Sequence, residues 1–250
     1  MRRDELVAYL DEYLNVAGIS DSSNNGLQVQ GHPEVTRVAF AVDVCVEAIE
    51  RARSAGAQML FVHHGLFWDR VQMVVGPHYQ RLRALIRADI SLYAAHLPLD
   101  AHPEVGHNVQ LARVLGLEFE GSFGEYHGAP IGVAGRLPAA WPRERFVDHV
   151  AETLGVDVRV WAFGASEIQR VAIVSGGAAT LIDQAAAEGF DAYLTGEASH
   201  TAYHQARELG LNVIYAGHYA TETWGLRALA EHLGRRFDLE TTFIDLPTGL

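Results

Sequence analysis

The chain has 250 residues, enough for one broad α/β domain or two lobes, because single hydrophobic cores tend to divide near ~250 residues. Apolar residues make up 49% and charged residues 20% of it, a globular balance that excludes a disordered chain. The net charge of −12 opposes an extended nucleic-acid interface, which needs clustered Lys and Arg, and leaves room only for a local basic pocket holding one nucleotide.

No run approaches the ~18 apolar residues of a membrane span, so no membrane association is expected. The opening MRRDELVAYLDEYL carries acidic residues where a signal peptide would have its apolar stretch, and the cytoplasm is the expected location. Cys45 is the single cysteine among 13 histidines. An intrachain disulfide and a thiolate-rich metal site are therefore excluded, and any bound metal must be held by imidazole and carboxylate.

Leu6, Val7, Leu10, Tyr13 and Leu14 follow helical spacing and predict an amphipathic helix over 4–16, followed by the polar loop SDSSNNG. From Arg37 the chain alternates short apolar runs with amphipathic segments. RVAFAVD, QMLFVHH and ISLYAAH read as strands; EAIERARSAG, YQRLRALIRAD and NVQLARVLG read as helices, the first and last closed by Gly56 and Gly116. A glycine- and proline-rich stretch occupies residues 117 to 142. RERFVDHVAETLG is then helical, RVAIVSG a strand, AATLIDQAAAEG a helix, DAYLTGE a strand and HTAYHQARELG a helix. NVIYAGH, ETWGLRALAEHLG and DLETTFID complete the pattern as strand, helix and strand. Such alternation predicts an α/β fold with largely parallel sheets, divided near residue 125 into a lobe of residues 1–125 and a lobe of residues 126–250. The last elements could instead return to the first lobe.

The polar residues gather at strand ends. His63 and His64 close one strand, His96 the next, Glu197 and His200 follow a third, and His218 closes a fourth. Carboxyl ends of strands line the ligand crevice in open α/β sheets, so these endings suggest one convergent site. Taken singly, each is equally a hydrogen-bonded rim residue. Asp100 follows His96 by four residues, beyond a proline that argues for a loop rather than a helix. Asp100 could otherwise cap the helix near His107, at a poor distance for a cap. Glu222 follows His218 by four and either faces the same crevice or offsets a helix dipole. His200 and His204 share that spacing on a helix, where His204 reads best as part of a solvated face. In SGGAAT, Gly176 and Gly177 form a strand-to-helix turn whose N–H groups could hold a phosphate or carboxylate. The same pair also suits a plain tight turn.

NNGLQVQG at 24–31, VHHGLFW at 62–68, HLPLDAHPEVGHN at 96–108, and TGEASH, AREL and AGHYATE across 195–222 together resemble the Nif-three-like family. The resemblance is to its short bacterial YbgI-like branch, the GTP cyclohydrolase type 2 homologues, and it spans most of the chain. It implies a Nif-three-like fold of two α/β lobes with a dinuclear metal centre in the crevice between them, in a toroidal homohexamer. Carried over motif by motif, His63 and Asp100 would ligate one metal, His64 and His218 the other, and Glu222 would bridge both. His96 would act as a nearby acid/base or supporting residue, with Asn25 and Glu197 close by. The inserted domain of longer family members is missing, so functions tied to it do not transfer.

Three histidines and two carboxylates exceed the needs of one four-coordinate ion with an open position, and suit two ions sharing a carboxylate. The two divalent ions could be Zn, Fe, Mn, Ni or Co; nitrogen and oxygen ligands do not choose among them. The expected activity is hydrolysis of a nucleotide or related small molecule. A phosphoesterase and a non-catalytic metal-binding or regulatory protein are the alternatives.

Overall fold

The computed structural model describes residues Met1 to Leu250. In chain order the first elements are α1 (Arg3–Tyr13), β1 (Gly26–Val29), β2 (Arg37–Asp43), α2 (Val46–Ser54), β3 (Met59–His64), α3 (Gly76–Ala88), β4 (Ser91–Ala94) and α4 (Leu97–Asp100). Then come α5 (His107–Val114), β5 (Glu118–Tyr126), β6 (Ala129–Pro142), α6 (Arg143–Leu154), β7 (Arg159–Ala162), β8 (Glu167–Ile173) and α7 (Ile182–Ala187). The remainder is β9 (Ala192–Thr195), α8 (Ala202–Leu209), β10 (Asn212–Tyr215), α9 (His218–Thr221), α10 (Trp224–Phe237) and β11 (Glu240–Phe243).

Two units divide these elements: Met1–Val105 with Gly225–Leu246, and Gly106–Trp224 with Pro247–Leu250. The division expected at residue 125 would cut inside β5, a strand paired to β6 from Glu118 to Tyr126. The glycine- and proline-rich stretch is thus a long hairpin rather than a boundary. The C-terminal strand returns to the first unit because β11 pairs in parallel with β2, Glu240 opposite Arg37 and Phe243 opposite Phe40.

The first unit holds a sheet in the order β1-β4-β3-β2-β11. All its pairings are parallel except β1 with β4. Period-two alternation sends Ala39, Ala41, Leu60, Val62 and Leu92 to one face, where they pack with Ile49 and Leu85 from α2 and α3. The interleaved Phe40, Phe61 and Tyr93 take the other face, with ring centroids 5.4 and 5.2 Å apart. Tyr93 hydroxyl donates to Asp11 of α1 at 2.7 Å, which ties that helix to the aromatic face. Parallel strands buried on both faces explain why QMLFVHH is apolar without polar alternation.

The second unit holds a sheet in the order β5-β6-β8-β9-β10-β7. Only β8-β9 and β9-β10 are parallel; the other pairings are antiparallel, so here the expected parallel character is confined to the centre. Val171, Ile173, Leu194 and Ile214 from the central strands pack with Phe146 and Val150 of α6. No helix is long and apolar enough to cross a membrane.

Phe61 is fully buried between two aromatic neighbours. Replacing it with alanine removes that contact and leaves a cavity the sheet cannot close, so Phe61→Ala should lower unfolding free energy by about 3–5 kcal/mol. Urea unfolding followed by circular dichroism measures the loss.

Candidate metal-binding site

In the first unit the parallel strands β2, β3 and β4 end together. His63 is fully buried, and its Nδ1 lies 3.0 Å from the Ala95 carbonyl oxygen. A carbonyl only accepts, so Nδ1 carries a proton. Nε2 points toward Asp100, 3.6 Å from Oδ2. His64 sits opposite Asp43 in the β2–β3 register, and its Nδ1 lies 2.9 Å from Asp43 Oδ1. The ionised carboxylate accepts from the same nitrogen there.

His96 follows β4, with Nδ1 3.0 and 3.1 Å from the two oxygens of Asp21. Asp21 also accepts from Asn25 Nδ2 and from the backbone N–H groups of Ser23 and Leu97. Asn25 Oδ1 accepts the His96 backbone N–H at 2.8 Å. Burial pushes the Asp21 carboxyl up, but the His96 imidazole, Asn25 and the Ser23 N–H outweigh it and bring its pKa down to about 2. The three imidazole centroids lie 4.7, 5.0 and 5.7 Å apart. One ring nitrogen from each lies within 4.8 Å of the others, a spacing that could hold a metal ion.

The turn after these histidines is held from the side. Gln28 Oε1 accepts from the N–H of Leu66, and Gln28 Nε2 donates to the Asn24 carbonyl. A Cβ at Gly65 would come within 2.5 Å of the Gln28 amide and 2.7 Å of Ala94 Cβ. Glycine is required there by close approach rather than by φ. Asp100, buried to 6% exposure, closes the short helix α4. A loop was expected at that position. Pro98 instead occupies the first turn, where a missing N–H costs nothing.

In the second unit the parallel strands β8, β9 and β10 also end together, and the polar residues follow them. His218 Nε2 lies 3.1 Å from Glu222 Oε1, and His218 Nδ1 lies 3.4 Å from Glu197 Oε2. Burial lowers the His218 pKa, but the two carboxylates more than reverse that and raise it to about 9. Without an ion His218 is therefore an imidazolium clamped by two anions at neutral pH. The short helix α9 runs from His218 to Thr221, with Glu222 just beyond it. Glu222 is buried at 3% exposure beside the imidazole.

Gly176 has φ +65°, and a Cβ there would lie 2.2 Å from Glu222 Oε1. A Cβ on Gly177 would meet Glu197 Oε1 at 2.9 Å. The backbone N–H groups of Ser175, Gly176 and Ala178 donate to Asn108, Thr221 and Thr195 respectively. Those donors are engaged within the protein, so the SGG turn gives room to the carboxylates more than it offers an anion cradle.

The structure thus gathers His63, His64, His96, Asp100 and Asn25 in one unit, and His218, Glu222, Glu197, Gly176 and Gly177 in the other. Sequence reasoning missed Asp43 and Asp21. Asp43 closes the strand RVAFAVD just as His64 closes its neighbour, and strand-end reasoning could have found it. Asp21 lies in SDSSNNG, where an aspartate reads as an ordinary turn residue.

Two α/β units thus end their parallel strands in histidine–carboxylate clusters whose groups could hold a metal ion. The model of the Duf34/NIF3 (NGG1p interacting factor 3) family matches residues 1–248. A Pyrococcus abyssi (strain GE5 / Orsay) protein named GTP cyclohydrolase 1 type 2 homolog is 49% identical over the whole of both chains. The solved structure of protein ybgI is 40% identical over the whole of both chains, with a TM-score of 0.95. A crystal structure from Thermus thermophilus, also matched over both full chains, is 44% identical with a TM-score of 0.92. The chain belongs to the Duf34/NIF3 family.

Asp21 supplies a pH signature. Its folded pKa of about 2 lies below the unfolded value near 3.8, so its contribution is present above pH 4 and fades as pH falls toward 2. That contribution is on the order of 2 kcal/mol. Asp21→Asn should therefore be less stable than wild type at pH 6, with the gap narrowing below pH 4. Denaturant melts across that range provide the check.

Proposed function

We propose that the chain is a metal-dependent hydrolase of a nucleotide or related small molecule, holding two divalent ions. His63 and Asp100 would hold one ion and His64 and His218 the other, with Glu222 available to both. The observation that carries this reading is the set of Nδ1 hydrogen bonds at His63, His64 and His96. Each commits Nδ1 to a protein acceptor, so that Nε2 is the atom that would bind, the second-sphere arrangement found around metal-bound imidazole. The donor set fits such ions: nitrogen and carboxylate oxygen, with no sulfur. Two ions so held would supply Lewis acidity and an acidified water.

The protein's own groups divide the remaining work. Asp21 and Asn25 orient His96, whose distal nitrogen accepts and returns a proton during hydrolysis. Glu197 holds the Nδ1 side of His218, and Gly176 leaves space for the Glu222 carboxylate. We also propose that the protein assembles as a homohexamer, in line with the family resemblance; sedimentation velocity at several concentrations measures this.

Purified wild type should carry up to two transition-metal ions per chain. His64→Ala and Glu222→Ala should each lose at least one, by elemental analysis; full occupancy in both variants sinks the ligand assignment. Loading should also displace the His218 proton, because the raised pKa of about 9 means the imidazole is charged at neutral pH. Affinity is thus expected to rise with pH from 6 to 9, and titration calorimetry in buffers of different ionisation enthalpy counts the proton released. A panel of nucleoside triphosphates and phosphoesters, run against the Glu222→Ala control, tests turnover. Absence of turnover in the metal-loaded protein would favour the regulatory metal-binding reading.

A further inference from the structure

A second recess lies in the second unit, apart from the histidine–carboxylate cluster. It has a volume of about 320 Å³ and is lined mainly by Arg159, Trp161, Ser199, His200, Tyr203 and His204. The size suits a small organic ligand. Trp161 and Tyr203 meet edge to face, with centroids 5.1 Å apart and planes at 83°, and Tyr203 meets Phe163 in the same manner at 5.3 Å. These contacts hold the aromatic wall in one orientation.

The polar part of the lining has one character. Arg159, His200 and His204 supply cationic or imidazole donors and Ser199 a hydroxyl, with no carboxylate among the lining residues. The run ASHTAYHQAR from Ala198 to Arg207 contains no acidic residue, in a chain whose net charge is −12. Arg159 is exposed, forms no ion pair, and lies with its guanidinium carbon 5.7 Å from the Trp161 ring centroid. The Trp161 indole nitrogen and the Tyr215 hydroxyl are buried with no protein partner, their rings 4.7 Å apart. Buried donors left unmet are costly.

Position connects the recess to the cluster. Arg159 pairs with Tyr215 at the carboxyl end of β10, and Ala198 immediately follows Glu197, whose carboxylate contacts His218. Both features thus lie along the carboxyl ends of β9 and β10, where open α/β sheets receive ligands.

We infer that this recess binds the ring and phosphate of a nucleoside phosphate, with the ring against Trp161 and Tyr203 and the phosphate at Arg159 and the two imidazoles. The inference rests on the nucleotide reading of the proposed function and adds the place where such a ligand is gripped. It gives His200 and His204 a ligand-facing role, in contrast to the solvated face expected for His204 from spacing.

Guanosine monophosphate is the probe, titrated into the full chain as purified, with guanosine and inorganic phosphate as separate ligands. The indole signal of Trp161, assigned by its disappearance in Trp161→Phe, should shift saturably in a nitrogen–proton correlation spectrum. Guanosine and phosphate should each bind at least about tenfold more weakly than the whole nucleotide, because each makes only part of the contacts. Arg159→Ala, at an exposed position that the fold does not need, should weaken the nucleotide by about tenfold while leaving metal content unchanged. An unmoved Trp161 signal at saturation, or wild-type affinity in Arg159→Ala, overturns the inference. Metal analysis of His64→Ala and Glu222→Ala reports separately on the metal reading, so the two fail independently.

Discussion

The hydrogen bond from His63 Nδ1 to the Ala95 carbonyl constrains much of the first unit. A fully buried imidazole must place both nitrogens, and this bond settles one of them with a backbone group that parallel pairing has already positioned. Ala95 in turn donates its N–H to the Val62 carbonyl. The ring is therefore oriented by the sheet itself rather than by a mobile side chain. The position of Nε2 and its distance to Asp100 follow from strand register.

His64 uses a different device with the same result. The period of two turns it away from the fully buried side of β3, yet register places Asp43 directly opposite, and a carboxylate accepts the Nδ1 hydrogen bond that a backbone carbonyl accepts for His63. Adjacent histidines on one strand are therefore held through Nδ1 by different acceptors, while a ring nitrogen of each lies within 4.8 Å of the other's and of one from His96. Gly65 lets the chain press against Gln28 and Ala94 just beyond them.

The strands and most helices were legible because buried parallel strands are continuous apolar runs and amphipathic helices carry a 3.6-residue period. The β5–β6 hairpin was hidden by glycine and proline, which punctuate loops as often as they relieve strands. Its inner residues, such as Val133 and Phe123, are buried, but exposed neighbours such as Phe119 blur the alternation. The return of β11 to β2 is a long-range pairing that no local pattern encodes. Strand-end histidines were legible because the sheet's carboxyl edge is a topological property. Asp21 was not, since its role comes from meeting His96 across 75 residues of chain.

The two units reach similar ends with opposite electrostatics. In the first, a backbone carbonyl and two carboxylates accept hydrogen bonds from the Nδ1 side of three separate imidazoles. In the second, Glu222 and Glu197 flank a single imidazole and draw a proton onto it. A cation arriving at His218 would compete with that proton. Gly176 is what permits this pairing, because any side chain there would displace the Glu222 carboxylate from His218 and remove the charge that raises its pKa.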